Sequence, residues 1–225
     1  MENTKSRVQY ILMELAHHLP YSIFGVISAI ILMAVLTFIA EAAGANNISG
    51  ASNELFHVFH PSHILFSAIA TTAVFWKHDN HSWIKAVFIG LFGSLSICGI
   101  SDIVIPFIGG KLLGFHMGFH VCLVEEPGLI YPFAFVGIAA GLMVTQTFEH
   151  STQYSHGVHV FLSSAASLLY LLSYGVTGWM HHITPVFLIT IFAVMIPCCL
   201  SDIVFPLMCT HRYCSHNPPP PRERF

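Results

Sequence analysis

Two short histidine motifs and two aspartates are the residues of this chain whose types and spacing point to chemistry. The motifs are His60-Pro-Ser-His63 and His156-Gly-Val-His159, and the aspartates are Asp102 and Asp202. Residues at i and i+3 share one helical face, so each pair can present two imidazoles to one metal ion. An aspartate from a neighbouring helix then supplies a third N/O ligand, a set suited to Zn²⁺ or a similar transition ion. Cys98 and Cys198 stand one turn before Asp102 and Asp202, on the same face, where each can add a thiolate. Sixteen histidines in 225 residues reinforce the point, since ordinary usage of roughly 2% gives about five.

Further candidate ligands are His116 and His120, a pair at i and i+4, with His17 and His18 as their counterparts by position, and Glu14 and Glu126. Each of these residues also has a plainer role. Histidines at span ends cap helices, aspartates bond nearby serines, and lone cysteines pack as small apolar groups. Duplication of the His-x2-His and Asp set, with its spacing kept, raises the metal reading above those.

The elements that must position these residues follow from composition. Hydrophobic residues make up 55% of the chain and charged ones only 8%, against about 25% charged in soluble domains. A water-soluble fold is excluded, and eight Lys plus Arg with a net charge of −3 leave no footprint for nucleic acid. Apolar stretches at 20–40, 57–76, 84–107, 128–147, 156–176 and 183–208 each approach the length that crosses a ~30 Å hydrocarbon layer. The fold class expected is therefore all-α, a polytopic membrane protein with six transmembrane helices. Residues 1–19 form an N-terminal cytoplasmic or interfacial segment, and the proline-rich 209–225 a disordered cytoplasmic tail. With both termini inside, the inner flanks hold Lys5, Arg7, Lys77, Lys85, Arg212, Arg222 and Arg224, against Lys111 alone outside. That bias sets the orientation in the cell membrane.

The halves repeat one another. Cys98-Gly-Ile-Ser-Asp102-Ile-Val-Ile-Pro106 in the third span matches Cys198-Cys-Leu-Ser-Asp202-Ile-Val-Phe-Pro206 in the sixth. The two His motifs open the second and fifth spans, and Glu14/Glu126, Pro20/Pro132 and Gly25/Gly137 align the first and fourth. Three spans per unit, residues 20–110 and 111–208, make the second copy enter from the opposite side, an inverted-topology repeat of the kind common in transporters. Counting depth from the start of each apolar run places one His/Asp cluster near each membrane face.

The function expected is a permease for a divalent transition metal (Zn, Ni, Co, Mn or Fe), a transporter rather than an enzyme. It would bind the metal ion and the lipid bilayer, and could assemble as a homo-oligomer. Two alternatives stand beside it: a transmembrane haem electron-transfer protein and an intramembrane metal-dependent enzyme. No His-Glu-x-x-His and no Gly-rich phosphate loop occurs in the chain, which removes zincin proteolysis and direct ATP use.

Overall fold

The computed structural model describes residues 2–44, 47–78, 82–143, 152–199 and 205, with side chains at 16, 19–44, 47–77, 82–143, 157–198 and 205. Those residues form helices and connecting turns with no strand among them. Six principal helices follow in order: α1 (Glu2–Ala42), α2 (Ile48–His78), α3 (Trp83–Leu112), α4 (Pro127–Met143), α5 (Thr152–Tyr174) and α6 (Ile183–Cys199). A single turn, Cys122–Glu125, precedes α4, and a 3₁₀ turn, Trp179–His182, leads into α6. The expected tail 209–225 lies outside the described residues.

Five helical stretches are long and apolar enough to cross a membrane: Leu19–Ala42, Ile48–Lys77, Trp83–Leu112, Gly157–Tyr174 and Trp179–Cys198. The remaining expected crossing is the 17-residue apolar helix α4, about 26 Å long at 1.5 Å per residue. The segment before the first crossing is continuous with it, since α1 runs through Pro20.

Local chemistry sets the helix starts. Asn47 accepts the Gly50 N–H on its Oδ1 at 2.8 Å, an N-cap bond that begins α2 nine residues before the apolar run at His57. Ser82 accepts the Lys85 N–H at the head of α3. At the other end of α3, Gly114 adopts a left-handed conformation (φ +86°) and turns the chain. Within α3 two π-helical turns, Gly93–Ile97 and Ile100–Val104, flank Cys98. Such wide turns interrupt helices mostly at functional positions.

Helix α5 is the centre of the bundle: Ala165, Ala166, Leu168, Leu169, Tyr170 and Leu171 are all fully buried. It packs against α1 and α2, and α2 packs against α4. Helices α2 and α5 run antiparallel, because Ser49 Oγ bonds the Ser173 carbonyl while His63 meets His159. Phe24, Phe38, Phe135, Val136, Leu188 and Phe192 are exposed on the outer helices, as a lipid-facing surface requires. Two glycines let helices of opposite halves approach closely. A Cβ on Gly137 would lie 2.5 Å from the Leu65 carbonyl oxygen, and one on Gly25 would lie 3.3 Å from the Phe161 backbone nitrogen.

Candidate metal centre

Helix α2 supplies His60 and His63, α3 supplies Cys98, Ser101 and Asp102, α5 supplies His159 and Ser163, and α6 supplies Cys198. All eight are buried, and six of them (all but the two cysteines) are polar. Asp102 is the organiser. Its Oδ2 accepts from His60 Nδ1 at 2.8 Å and from His63 Nδ1 at 2.7 Å. Its Oδ1 accepts from Ser101 Oγ at 2.7 Å and Ser163 Oγ at 3.0 Å. Four donors and no acceptor surround the carboxylate, which is the environment of an ionised, acceptor-only group. Burying such a charge without partners is costly, and these bonds offset the cost.

The bonds at Asp102 decide what His63 can do. With Nδ1–H committed to the carboxylate, neutral His63 carries its lone pair on Nε2. That atom faces His159 Nε2 at 2.9 Å, with the two rings edge to face. Cys98 Sγ and Cys198 Sγ each lie 3.7 Å from the same His63 Nε2. The ligand atoms of His63, His159 and Cys198 fall within 4.8 Å of one another. Zn–N bonds of about 2.0–2.1 Å and Zn–S bonds of about 2.3 Å imply tetrahedral N···S separations of about 3.6 Å and N···N of about 3.3 Å. The N···S distances match. The N···N distance is a hydrogen-bond length, so a proton joins the two imidazoles, and an ion taking its place parts them by about 0.4 Å. A carboxylate on the far nitrogen of a ligating imidazole is the usual outer-shell support of a metal site.

The expectation of two clusters, one toward each membrane face, is corrected here. His63 and His159 belong to one centre. The reason is the polar start of α2: Ser49, Ser52, Asn53 and Glu54 are helical, so His63 is the sixteenth residue of the 30-residue crossing Ile48–Lys77, not one near its end. Asp102 likewise lies ten residues before the end of Trp83–Leu112. The one-turn spacing of Cys98 and Asp102 does place both on His63. The contacting rings of His63 and His159, with centroids 4.6 Å apart, hold no slot for a planar macrocycle between them.

The remaining candidates divide. The side chains of His156, Asp202, Glu14, His17 and His18 lie outside the described residues. His116 is exposed and joins no metal-competent group among the described residues. Glu126 is exposed and serves the start of α4, its carbonyl accepting from Leu129 and Ile130. His120 belongs to a separate group with His57 and Cys122, whose ligand atoms also lie within 4.8 Å of one another. His57 and Cys122 escaped the sequence reading, although His57 is three residues before His60 and Cys122 two after His120. Burial, reinforced by the charge of Glu126, pushes the Cys122 thiol up to about 12. The Glu125 carboxyl is held below its usual range, first by the Val121 N–H it accepts and then by His120.

The chain thus has apolar crossing helices and His/Cys/Asp groups that are compatible with a membrane metal-binding protein. Comparison with protein-family models, curated proteins and solved structures finds no match, so the geometry alone carries the functional argument.

Proposed function

We propose that this protein is a transition-metal permease with one ion site at mid-depth, formed by His63, His159 and Cys198, with Cys98 beside His63 and Asp102 in support. The observation that carries the proposal is the convergence of His63, His159 and Cys198 on one buried point from three different helices, with Cys98 of a fourth helix against the same His63 nitrogen. Imidazole nitrogens with a thiolate favour a borderline ion such as Zn²⁺, Co²⁺ or Ni²⁺ and disfavour Mn²⁺, which prefers oxygen ligands. One thiolate and the Asp102 carboxylate neutralise a divalent charge, which suits a low-dielectric site.

Transport, as opposed to structural metal binding, is supported by which residues meet. His63 and His159 are counterparts in the sequence repeat, and so are Cys98 and Cys198. Gly25 and Gly137 are counterparts too, and each seats on the second helix of the other half, at the matching residues Phe161 and Leu65. The antiparallel course of α2 and α5 agrees with an inverted pair of three-helix units, six crossings in all. A site shared by two such units becomes open to either side as one rocks against the other. The proton between His63 and His159 leaves when an ion arrives, so metal and proton occupy the centre in turn. Asp202, by its place in the repeat, is the second-half counterpart of Asp102 in this scheme.

The test is uptake of Zn²⁺ and Co²⁺ into vesicles containing the purified protein, beside metal content measured by elemental mass spectrometry. His63→Ala and Cys198→Ser should each abolish uptake and remove about one bound equivalent. Retained uptake in both variants would overturn the permease. A wild type that binds metal, loses it in these variants and never transports would leave metal storage or structure as the function.

A further inference from the structure

From the lone pairs at the head of α2 we infer a second metal site, built by His57, His120 and Cys122 and separate from the central one. His57 Nδ1 lies 2.8 Å from the carbonyl of Asn53. A carbonyl can only accept, so Nδ1 carries the hydrogen and Nε2 the lone pair. His120 Nδ1 lies 2.8 Å from Glu125 Oε2, which fixes the same tautomer in the same way. Both Nε2 atoms are buried and have no hydrogen-bond partner among the described residues. His57, His120 and Cys122 form one group, with a ring nitrogen of each imidazole and the Cys122 sulfur all within 4.8 Å of one another. Two buried imidazole lone pairs left without a hydrogen bond are an unfavourable arrangement in a metal-free protein. A divalent cation satisfies both at once.

The rings are held for this task. His120 stacks on Tyr174 at 5.1 Å, and its backbone N–H donates to Tyr170 Oη. Tyr174 Oη donates to Asn53 Oδ1, tying the residue that orients His57 to the residue that orients His120. Glu125 is a positioning residue: it touches Nδ1 of His120 and fixes the direction of Nε2. Three protein ligands leave a fourth position open, the arrangement of an exchanging site and not of a closed structural one. The ion class is again borderline, Zn²⁺ or Co²⁺, by the imidazole and sulfur donors. His57 precedes His63 by six residues on α2, a rise of about 9 Å. This outer site is therefore placed to receive ions at the end of the bundle where α2 begins and α5 ends. Its existence does not depend on the central site binding metal.

The experiment is Co²⁺ titration of the full-length, detergent-purified chain, read by bound equivalents and by the thiolate-to-cobalt charge-transfer band. A chain carrying Cys98→Ser and Cys198→Ser isolates the outer site. It should still bind one equivalent and show the band, and adding Cys122→Ser should remove the band. His57→Gln with His120→Gln, which keeps the size of each side chain, should remove that equivalent. Glu125→Gln should weaken it by about 10- to 100-fold, as loss of an outer-shell partner does. No Co²⁺ bound in the Cys98/Cys198 variant, with helical content unchanged, would overturn the inference. So would an equivalent that survives His57→Gln with His120→Gln. Failure of the central site alone reads differently: in the wild type only the equivalent sensitive to His57 and His120 would appear.

Discussion

Removing the Asp102 carboxylate tests the central arrangement most sharply, because four donors converge on it. In Asp102→Ala the Ser101 hydroxyl can turn to the Cys98 carbonyl, already 3.1 Å away, and the Ser163 hydroxyl has Ser101 Oγ at 3.4 Å. The imidazole N–H groups of His60 and His63 have no such choice, since both side chains are buried and their rings are packed. Two orphaned buried donors at about 1–3 kcal/mol each give a loss of about 2–6 kcal/mol. If Asp102 were ordinary interhelical glue, each bond would be worth about 0.6 kcal/mol and the serines would recover part of it. The loss would then stay near 1 kcal/mol. Asp102→Asn separates charge from shape: its carbonyl can face the two imidazoles while its amide donates to the serines. It should cost about 1–3 kcal/mol in stability and weaken the central metal site about 10- to 100-fold. Reversible unfolding in mixed micelles, followed by circular dichroism, reads the first quantity, and competition with a metal indicator reads the second. Asp102→Ala within about 0.5 kcal/mol of wild type, a typical effect for an uninvolved surface change, would refute the reasoning.

Three smaller changes probe the surroundings. Gly137→Ala puts a methyl 2.5 Å from the Leu65 carbonyl and 2.8 Å from Ala68 Cβ, so α4 must move off α2, at a cost of about 1–3 kcal/mol in the same unfolding assay. Ser163→Ala removes one donor from Asp102 and the Cys198 contact; with Ser101 still in place the cost should be about 0.5–1.5 kcal/mol, with metal content kept. Tyr174→Phe breaks the bond to Asn53, costs a similar about 0.5–1.5 kcal/mol, and should weaken the Co²⁺ equivalent read in the chain that lacks Cys98 and Cys198, leaving central binding unchanged.

Much of the centre was legible because helical spacing is a local rule. His60 with His63, and Cys98 with Asp102, could be put on common faces from residue numbers, and both pairs do meet at His63 or Asp102. Depth was not legible, because it depends on where a helix begins and not on where its apolar run begins. Ser49, Ser52, Asn53 and Glu54 precede the apolar run that starts at 57, yet the Asn47 cap carries them into α2, and His63 moves from the end of a span to its middle. Ser163 bonds Asp102 across 61 residues of sequence, and Cys98 and Cys198 reach the same nitrogen from different halves. Such long-range meetings leave no trace in periodicity, although the repeat marks which residues are equivalent. His57 was the one omission that spacing could have repaired, since extending the i, i+3 row backward from His60 reaches it.

The distribution of donors around Asp102 has a consequence for biogenesis. A chain is inserted into the bilayer in the order it is made, and a carboxylate in α3 must be accepted there before α5 exists. His60 and His63 come from α2, which is already in place, and Ser101 is the neighbour of Asp102 itself. Three of the four donors are thus supplied by the first half of the chain, and only Ser163 arrives with the second. The first three helices can therefore hold a negative charge in the membrane on their own while synthesis continues. What waits for the second half is not the charge but the partner of His63 Nε2, so the last helices to arrive complete the ion site and not the fold around the acid.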